Sequence, residues 1–135
     1  MFCLDTNVVI AALNQRDPAV AARLDAEIAL GTPILISTIV LFELRYGIAK
    51  SARRDSNEAV LARFLEMPLT LATFEPADAD HAADIRAHLT RAGTPIGPYD
   101  TLIAAQARRR GVVLVTNNRR EFERVPGLMV TDWAR

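Results

Sequence analysis

The sequence predicts an α/β domain, because short apolar runs alternate with amphipathic helical stretches along its length and the runs that read as strands stop at polar side chains. The runs Phe2-Cys3-Leu4, Ile34-Leu35-Ile36 and Val112-Val113-Leu114-Val115 show no polar alternation, as expected of strands buried on both faces. Helical stretches separate them, which is what parallel pairing requires. The expectation is a mostly parallel sheet with helices on both sides. With 135 residues, half of them apolar, the chain is sized for one domain, 1–135, with a core that needs neither disulfide nor structural metal.

The first thirteen residues set the pattern. An apolar run stops at Asp5 and a helical pattern resumes at Val8, so a buried strand delivers Asp5 to the mouth of an open sheet. Thr6 and Asn7 can cap the next helix and donate hydrogen bonds to Asp5. Taken alone, Asp5 reads as a helix cap. Asp17-Pro18 opens a second helix over Ala19 to Leu30, which carries Val20, Leu24 and Ile28 on one face and ends at Gly31-Thr32-Pro33. After the strand Ile34 to Ile36, Ser37-Thr38 offers the cap of a helix from Ile39 to Lys50. Glu43 lies within that helix between Phe42 and Leu44. A carboxylate buried there unpaired would be costly, so it needs a cation or an open cleft.

Ser51 to Ser56 is polar and basic and predicts a connection, followed by a helix over Glu58 to Glu66 that stops at Met67-Pro68. Leu69 to Phe74 reads as a short strand, and Pro76 opens a long helix through Arg91. On it His81, Asp84 and His88 have the spacing of a metal-binding face, but Asp78, Asp80 and Arg86 beside them favour a solvated face with the Ala-rich side packed. The loop Ala92 to Pro98 holds Gly93, Pro95 and Gly97, and Pro98 places Asp100 in the first turn of the helix Tyr99 to Arg110. There the helix dipole favours the ionised carboxylate, so in isolation Asp100 is an ordinary helix-start acid. Gly111 ends this helix, and the strand Val112 to Val115 runs into Thr116-Asn117-Asn118. A short helical turn from Arg119 to Arg124 with Glu121 and Phe122, a turn at Pro126-Gly127 and a final strand Leu128-Met129-Val130 precede Asp132-Trp133.

Sixteen basic residues balance sixteen acidic ones, which argues against a wholesale electrostatic nucleic-acid binder and leaves local patches open. The basic clusters are Arg108-Arg109-Arg110, Arg119-Arg120 with Arg124, and Lys50 with Arg53-Arg54. The single cysteine, Cys3, reads as a buried thiol, and with no second cysteine no internal disulfide can form, which fits a reducing cytoplasm. Met1 leads into the strand without a basic leader or long apolar stretch, so neither export nor membrane insertion is indicated.

In a parallel sheet Asp5 and Thr116 to Asn118 emerge at the same carboxyl edge. The helices that follow Thr38 and Gly97 begin at or near that edge, so Glu43 and Asp100 can converge on Asp5. Three gathered carboxylates repel unless a cation neutralises them, and all-oxygen ligands suit a hard ion, Mg²⁺ or Mn²⁺. With no histidine or cysteine among these residues, covalent and imidazole base catalysis are not supported. Carboxylate-held metal instead suits phosphodiester hydrolysis.

Four segments go further: Leu4-Asp5-Thr6-Asn7, Ser37 to Gly47, Ile96 to Ala105, and Val115-Thr116-Asn117-Asn118. In order and spacing they resemble the PIN-domain ribonucleases, and more narrowly the VapC toxins of type II toxin–antitoxin systems. The resemblance spans nearly the whole chain, including Glu121-Phe122 and Asp132-Trp133. It implies a three-layer α/β/α fold and a Mg²⁺-dependent endoribonuclease that cuts structured RNA, often tRNA, and so inhibits translation and growth. It also implies a VapB-type antitoxin, a homodimer, a larger toxin–antitoxin assembly on operator DNA through the antitoxin, and a bacterial or archaeal cytoplasm. Carried over by motif, Asp5, Glu43 and Asp100 are the acidic residues of the metal site, and Thr6 and Thr116 hydrogen-bond to them. Many PIN domains carry a fourth acid where Asn118 stands, a departure that bears on a second metal, although Glu121 one turn on could reach the site. Arg119, Arg120 and Arg108 to Arg110 are candidates for RNA backbone contacts. Two alternatives stay open, a weakly catalytic PIN-like RNA-binding module and a housekeeping RNA-processing nuclease. A receiver-like signalling domain is excluded, because it needs a lysine late in the chain and the only lysine is Lys50.

Overall fold

The computed structural model describes residues 1–134. Its elements run β1 (Phe2–Leu4), α1 (Thr6–Leu13), α2 (Pro18–Ala29), β2 (Ile34–Ser37), α3 (Thr38–Ala49), α4 (Arg54–Leu65), β3 (Thr70–Ala72), α5 (Pro76–Arg91), α6 (Pro98–Arg110), β4 (Val113–Val115), α7 (Arg119–Phe122) and β5 (Val130–Thr131). The sheet has the order β3-β2-β1-β4-β5, and every pairing is parallel. Helices flank it to give the expected three-layer α/β/α domain. Every residue of β2 is buried, as a strand covered on both faces must be.

The order of strands fixes where chemistry can happen. The chain lays β2 and β3 to one side of β1, then returns to lay β4 and β5 on the other. The switch point therefore falls between β1 and β4, whose register pairs Leu4 with Val115. In open parallel sheets the crevice beyond the strand ends opens at that point. Asp5 and Thr116, each one residue beyond its strand, both border it.

Several element boundaries differ from the sequence expectation: β3 is only Thr70–Ala72, α7 stops at Phe122, and two larger shifts have a visible cause. The α4 helix begins at Arg54, within the stretch expected to be a connection. Ser51 makes this possible: its hydroxyl accepts from Arg53 N at 2.9 Å and from Asn57 Nδ2 at 2.9 Å, tying down the helix entry, and Arg54 pairs with Glu58 one turn on. The last strand is shifted to Val130–Thr131, because the ladder from β4 engages Met129 O and Thr131 O.

Buried polar groups lock the helix that carries Asp100. Gln106, 1% exposed, accepts from the Ser37 hydroxyl at the end of β2 and donates to Ala72 O at the end of β3 at 3.0 Å. Both of its polar ends are satisfied, as burial demands. The α6 helix is thereby pinned to two strand ends. At the far end of α6, Asp78 is fully buried and accepts from Arg109 Nε at 2.7 Å and Arg110 Nη1 at 3.1 Å.

Candidate active site

Asp5 is the N-cap of α1 and a candidate site residue at once. Its Oδ1 accepts from Thr6 N at 2.8 Å and its Oδ2 from the Thr116 hydroxyl at 2.8 Å, so both carboxylate oxygens are fixed from opposite sides of the switch point. The Thr116 hydroxyl is itself oriented by accepting from Asn118 N at 2.9 Å. Glu43 arrives from α3, and its Oε1 accepts from the Thr6 hydroxyl at 2.7 Å. Asp100 arrives on the first turn of α6. There a β-carbon on Gly97 would stand 3.2 Å from Asp100 Oδ2, so the carboxylate folds back over the helix entry, where glycine leaves it the room. Glu121 completes the acidic group from α7, its Oε2 accepting from Asn118 Nδ2 at 2.8 Å.

Electrostatics tie these acids together. Burial, then the charges of Asp5, Glu43 and Glu121, push the Asp100 carboxyl up to about 6. Asp5 is also raised, chiefly by burial and further by Glu43, against the lowering effect of its hydrogen bonds from Thr116 and Thr6. Among the described residues no lysine or arginine pairs with any of the four acids. The side chains do not yet close on a single point: among the described residues no three acid, histidine or cysteine groups are assembled tightly enough to hold an ion as they stand. The donor set nevertheless fits a hard divalent cation. It is all oxygen, it carries surplus negative charge, and burial together with the neighbouring charges raises Asp5 and Asp100.

Other sequence expectations change. Asn7 is exposed and makes no hydrogen bond to Asp5; the Thr6 backbone N–H takes that role. Arg108, Arg109 and Arg110 lie at the opposite end of α6 from Asp100, about 12–15 Å along the axis. Arg109 and Arg110 hold Asp78, and Arg108 bonds His81 Nδ1 at 3.0 Å, Asp84 Oδ2 at 2.9 Å and Pro126 O at 3.0 Å. The run is an internal fastener rather than a free basic patch. The face of α5 expected to be solvated is in part its counterpart: Asp78 is buried, and His81 and Asp84 serve Arg108 instead of a metal. Nothing in the single sequence paired Asp78 with arginines some thirty positions away. Arg119 and Arg120 are exposed on α7, the element that carries Glu121, with Arg119 loosely paired to Glu123 at 3.3 Å. Cys3 is buried as expected, and burial, then Asp5, pushes its thiol up to about 12, which keeps it unreactive.

An α/β/α domain whose parallel sheet presents carboxylates at its switch point belongs to the class of acid-centred α/β domains, and the match is specific: the PIN domain family covers residues 2–128. The chain belongs to that family and, within it, to the VapC ribonucleases of toxin–antitoxin systems. A relative from Salmonella typhimurium named tRNA(fMet)-specific endonuclease VapC is 42% identical over 132 residues, covering 98% of this chain and 97% of the relative. Ribonuclease VapC from Haemophilus influenzae is 39% identical over 132 residues, again covering 98% and 97%. In structure, VapBC2 from Rickettsia felis bound to a DNA fragment from its promoter superposes with a TM-score of 0.91 at 34% identity, over 98% of both chains. DNA-bound VapBC from Salmonella typhimurium gives 0.90 at 41% identity, over 98% of both.

Proposed function

We propose that this endoribonuclease is Mg²⁺- or Mn²⁺-dependent, cuts tRNA, and is held in check by a VapB-type antitoxin with which it assembles on operator DNA. The observation that carries the metal dependence is the gathering of Asp100, raised to about 6, with Asp5, Glu43 and Glu121, none of which pairs with a lysine or arginine among the described residues. Asp5 and Asp100 would hold the ion, with Glu43 beside it. The bound ion would supply a Lewis acid and an activated water for in-line attack on the phosphodiester. The chain's own part is positional. Thr116 and Thr6 fix the Asp5 oxygens, Thr6 fixes Glu43, and Asn118 fixes Glu121, so these acids are oriented toward the cleft before the ion draws them and Asp100 together.

The Salmonella relative's name makes initiator tRNA the first substrate to test. The antitoxin reading draws on the VapBC complexes that share this fold. An acidic cleft is also a good receptor for an arginine side chain from a partner segment, a direct route to inhibition. Among the described residues no helix is long and apolar enough to cross a membrane, and a cytoplasmic location suits an enzyme acting on tRNA. Purified chain incubated with total tRNA should cut it with Mg²⁺ present, and both EDTA and Asp5→Asn should abolish the cut. Equal cleavage by wild type and Asp5→Asn would assign the activity elsewhere. Asn118, standing where many PIN domains carry an acid, favours the second reading of a weakly catalytic RNA-binding module. On that reading wild type binds tRNA firmly and cuts it only weakly.

A further inference from the structure

The core holds a polar pair that stability alone does not require. Ser37 and Gln106 are 0% and 1% exposed, and each hydrogen-bonds the other. Apolar groups of the same shape can replace such a pair at little cost, because the net energy of a hydrogen bond is small. What the polar pair adds is geometry. A directional bond holds two elements at one separation and one orientation, whereas apolar contacts are interchangeable.

The elements it holds are the ones that carry two of the acids. Ser37 ends β2 and is the N-cap of α3; its hydroxyl oxygen accepts from Ile39 N at 2.9 Å while its proton is donated to Gln106 Oε1. Gln106 Nε2 donates to Ala72 O at 3.0 Å, and Ala72 is the residue opposite Ser37 in the β2–β3 register. One amide from α6 therefore grips two neighbouring strand ends at the root of α3. Glu43 stands six residues after Ser37 on α3, and Asp100 six residues before Gln106 on α6, each about 9 Å along its helix axis. Among the described residues no other side-chain hydrogen bond joins α3 or its cap to α6. The charge of Glu43 disfavours that of Asp100, so the two helices need a tie that repulsion does not open.

We infer that Ser37 and Gln106 are positioning residues of the metal site: their hydrogen bond sets the separation of α3 and α6, and with it how tightly Glu43 and Asp100 together hold the ion. The inference rests on the metal-dependent nuclease reading. Gln106→Met keeps the length of the side chain and removes both of its hydrogen bonds. Calorimetric titration of the full chain with Mg²⁺ should show a Kd weakened by about tenfold or more. Cleavage should recover when Mg²⁺ is raised in proportion, with KM for tRNA unmoved. Ser37→Ala should weaken Mg²⁺ binding to a similar degree, and the double variant no further than the weaker single, since the same bond is lost in each. Leu24→Ala, buried on α2, a helix that carries none of the acids, should lower the melting temperature and leave Kd where it was. An unmoved Kd in either Gln106→Met or Ser37→Ala overturns the inference, and either variant suffices should the other fail to fold. Equal weakening in Leu24→Ala overturns it too, because the effect would then follow lost stability. An unmoved Kd against a wild type that binds Mg²⁺ sinks the positioning role alone, whereas a wild type that takes up no Mg²⁺ sinks the metal reading with it.

Discussion

At the scale of single residues, structural and chemical roles coincide instead of competing. Asp5 caps α1 through Thr6 N and offers the same carboxylate, braced by Thr116, to the cleft. The sequence could name Asp5, Glu43 and Asp100 because their helix and strand positions were readable, but not the Gly97 contact or the Ser37–Gln106 bond, which depend on backbones meeting from distant parts of the chain. Asp100 gives the clearest single-residue prediction. Its carboxyl is raised from 3.8 to about 6, so its protonated form stabilises the fold fully below the ordinary value, and that contribution is lost as pH rises through about 6. In EDTA near neutral pH, Asp100→Asn should therefore melt higher than wild type, by on the order of 1 kcal/mol after solvent screening, and the gap should close as pH approaches 4. Thermal melts at both pH values check this, and a variant no more stable than wild type at neutral pH refutes it. Cleavage should be lost in the same variant that gains stability.

At the scale of elements, α6 has a working end and an anchoring end. At the working end, Gly97→Ala would place a methyl 3.2 Å from Asp100 Oδ2, and the flexible carboxylate would yield before the backbone does. The expected outcome is a drop in cleavage of about tenfold or more with a stability change under about 1 kcal/mol, since a misplaced ligand costs catalysis more than folding. Full activity with an unshifted melt would place Asp100 elsewhere in the working enzyme. At the anchoring end, burial alone would raise Asp78, but hydrogen bonds from Arg109 and Glu75 N and the charge and bond of Arg110 outweigh it and hold the carboxyl below its ordinary value. Its stabilising contribution is therefore present above the unfolded value and is lost as pH falls through the folded one. Asp78→Asn leaves two partly buried guanidinium groups without their counter-charge and should cost about 3 kcal/mol at neutral pH. Urea titrations across pH should show that cost shrinking in acid. Composition could not reveal this anchor. Arg108 to Arg110 look like any basic run until α5 is packed against α6.

For the whole molecule, the alternation of elements was enough to predict the parallel sheet, and the sheet was enough to predict that Asp5, Glu43 and Asp100 share an edge. What a linear chain cannot encode visibly is how closely they share it. The fold stores repulsion at its switch point: strands, caps and the Gln106 bridge hold the acids near one another although they disfavour each other's charge. Neutralising that charge should stabilise the whole domain, because an ion that binds only the folded state adds RT ln(1 + [L]/Kd) to its stability. Mg²⁺ at about a hundredfold over its Kd should therefore raise stability by about 2.7 kcal/mol near pH 7.5. The ion competes with the Asp100 proton, so the gain should shrink as pH falls below about 6. In Asp100→Asn it should be small at every pH. Differential scanning calorimetry with and without Mg²⁺ at pH about 5.5 and 7.5 decides the matter. A Mg²⁺ effect equal at both pH values, or equal in wild type and Asp100→Asn, would mean that the ion binds away from these carboxylates and that their crowding serves something other than metal.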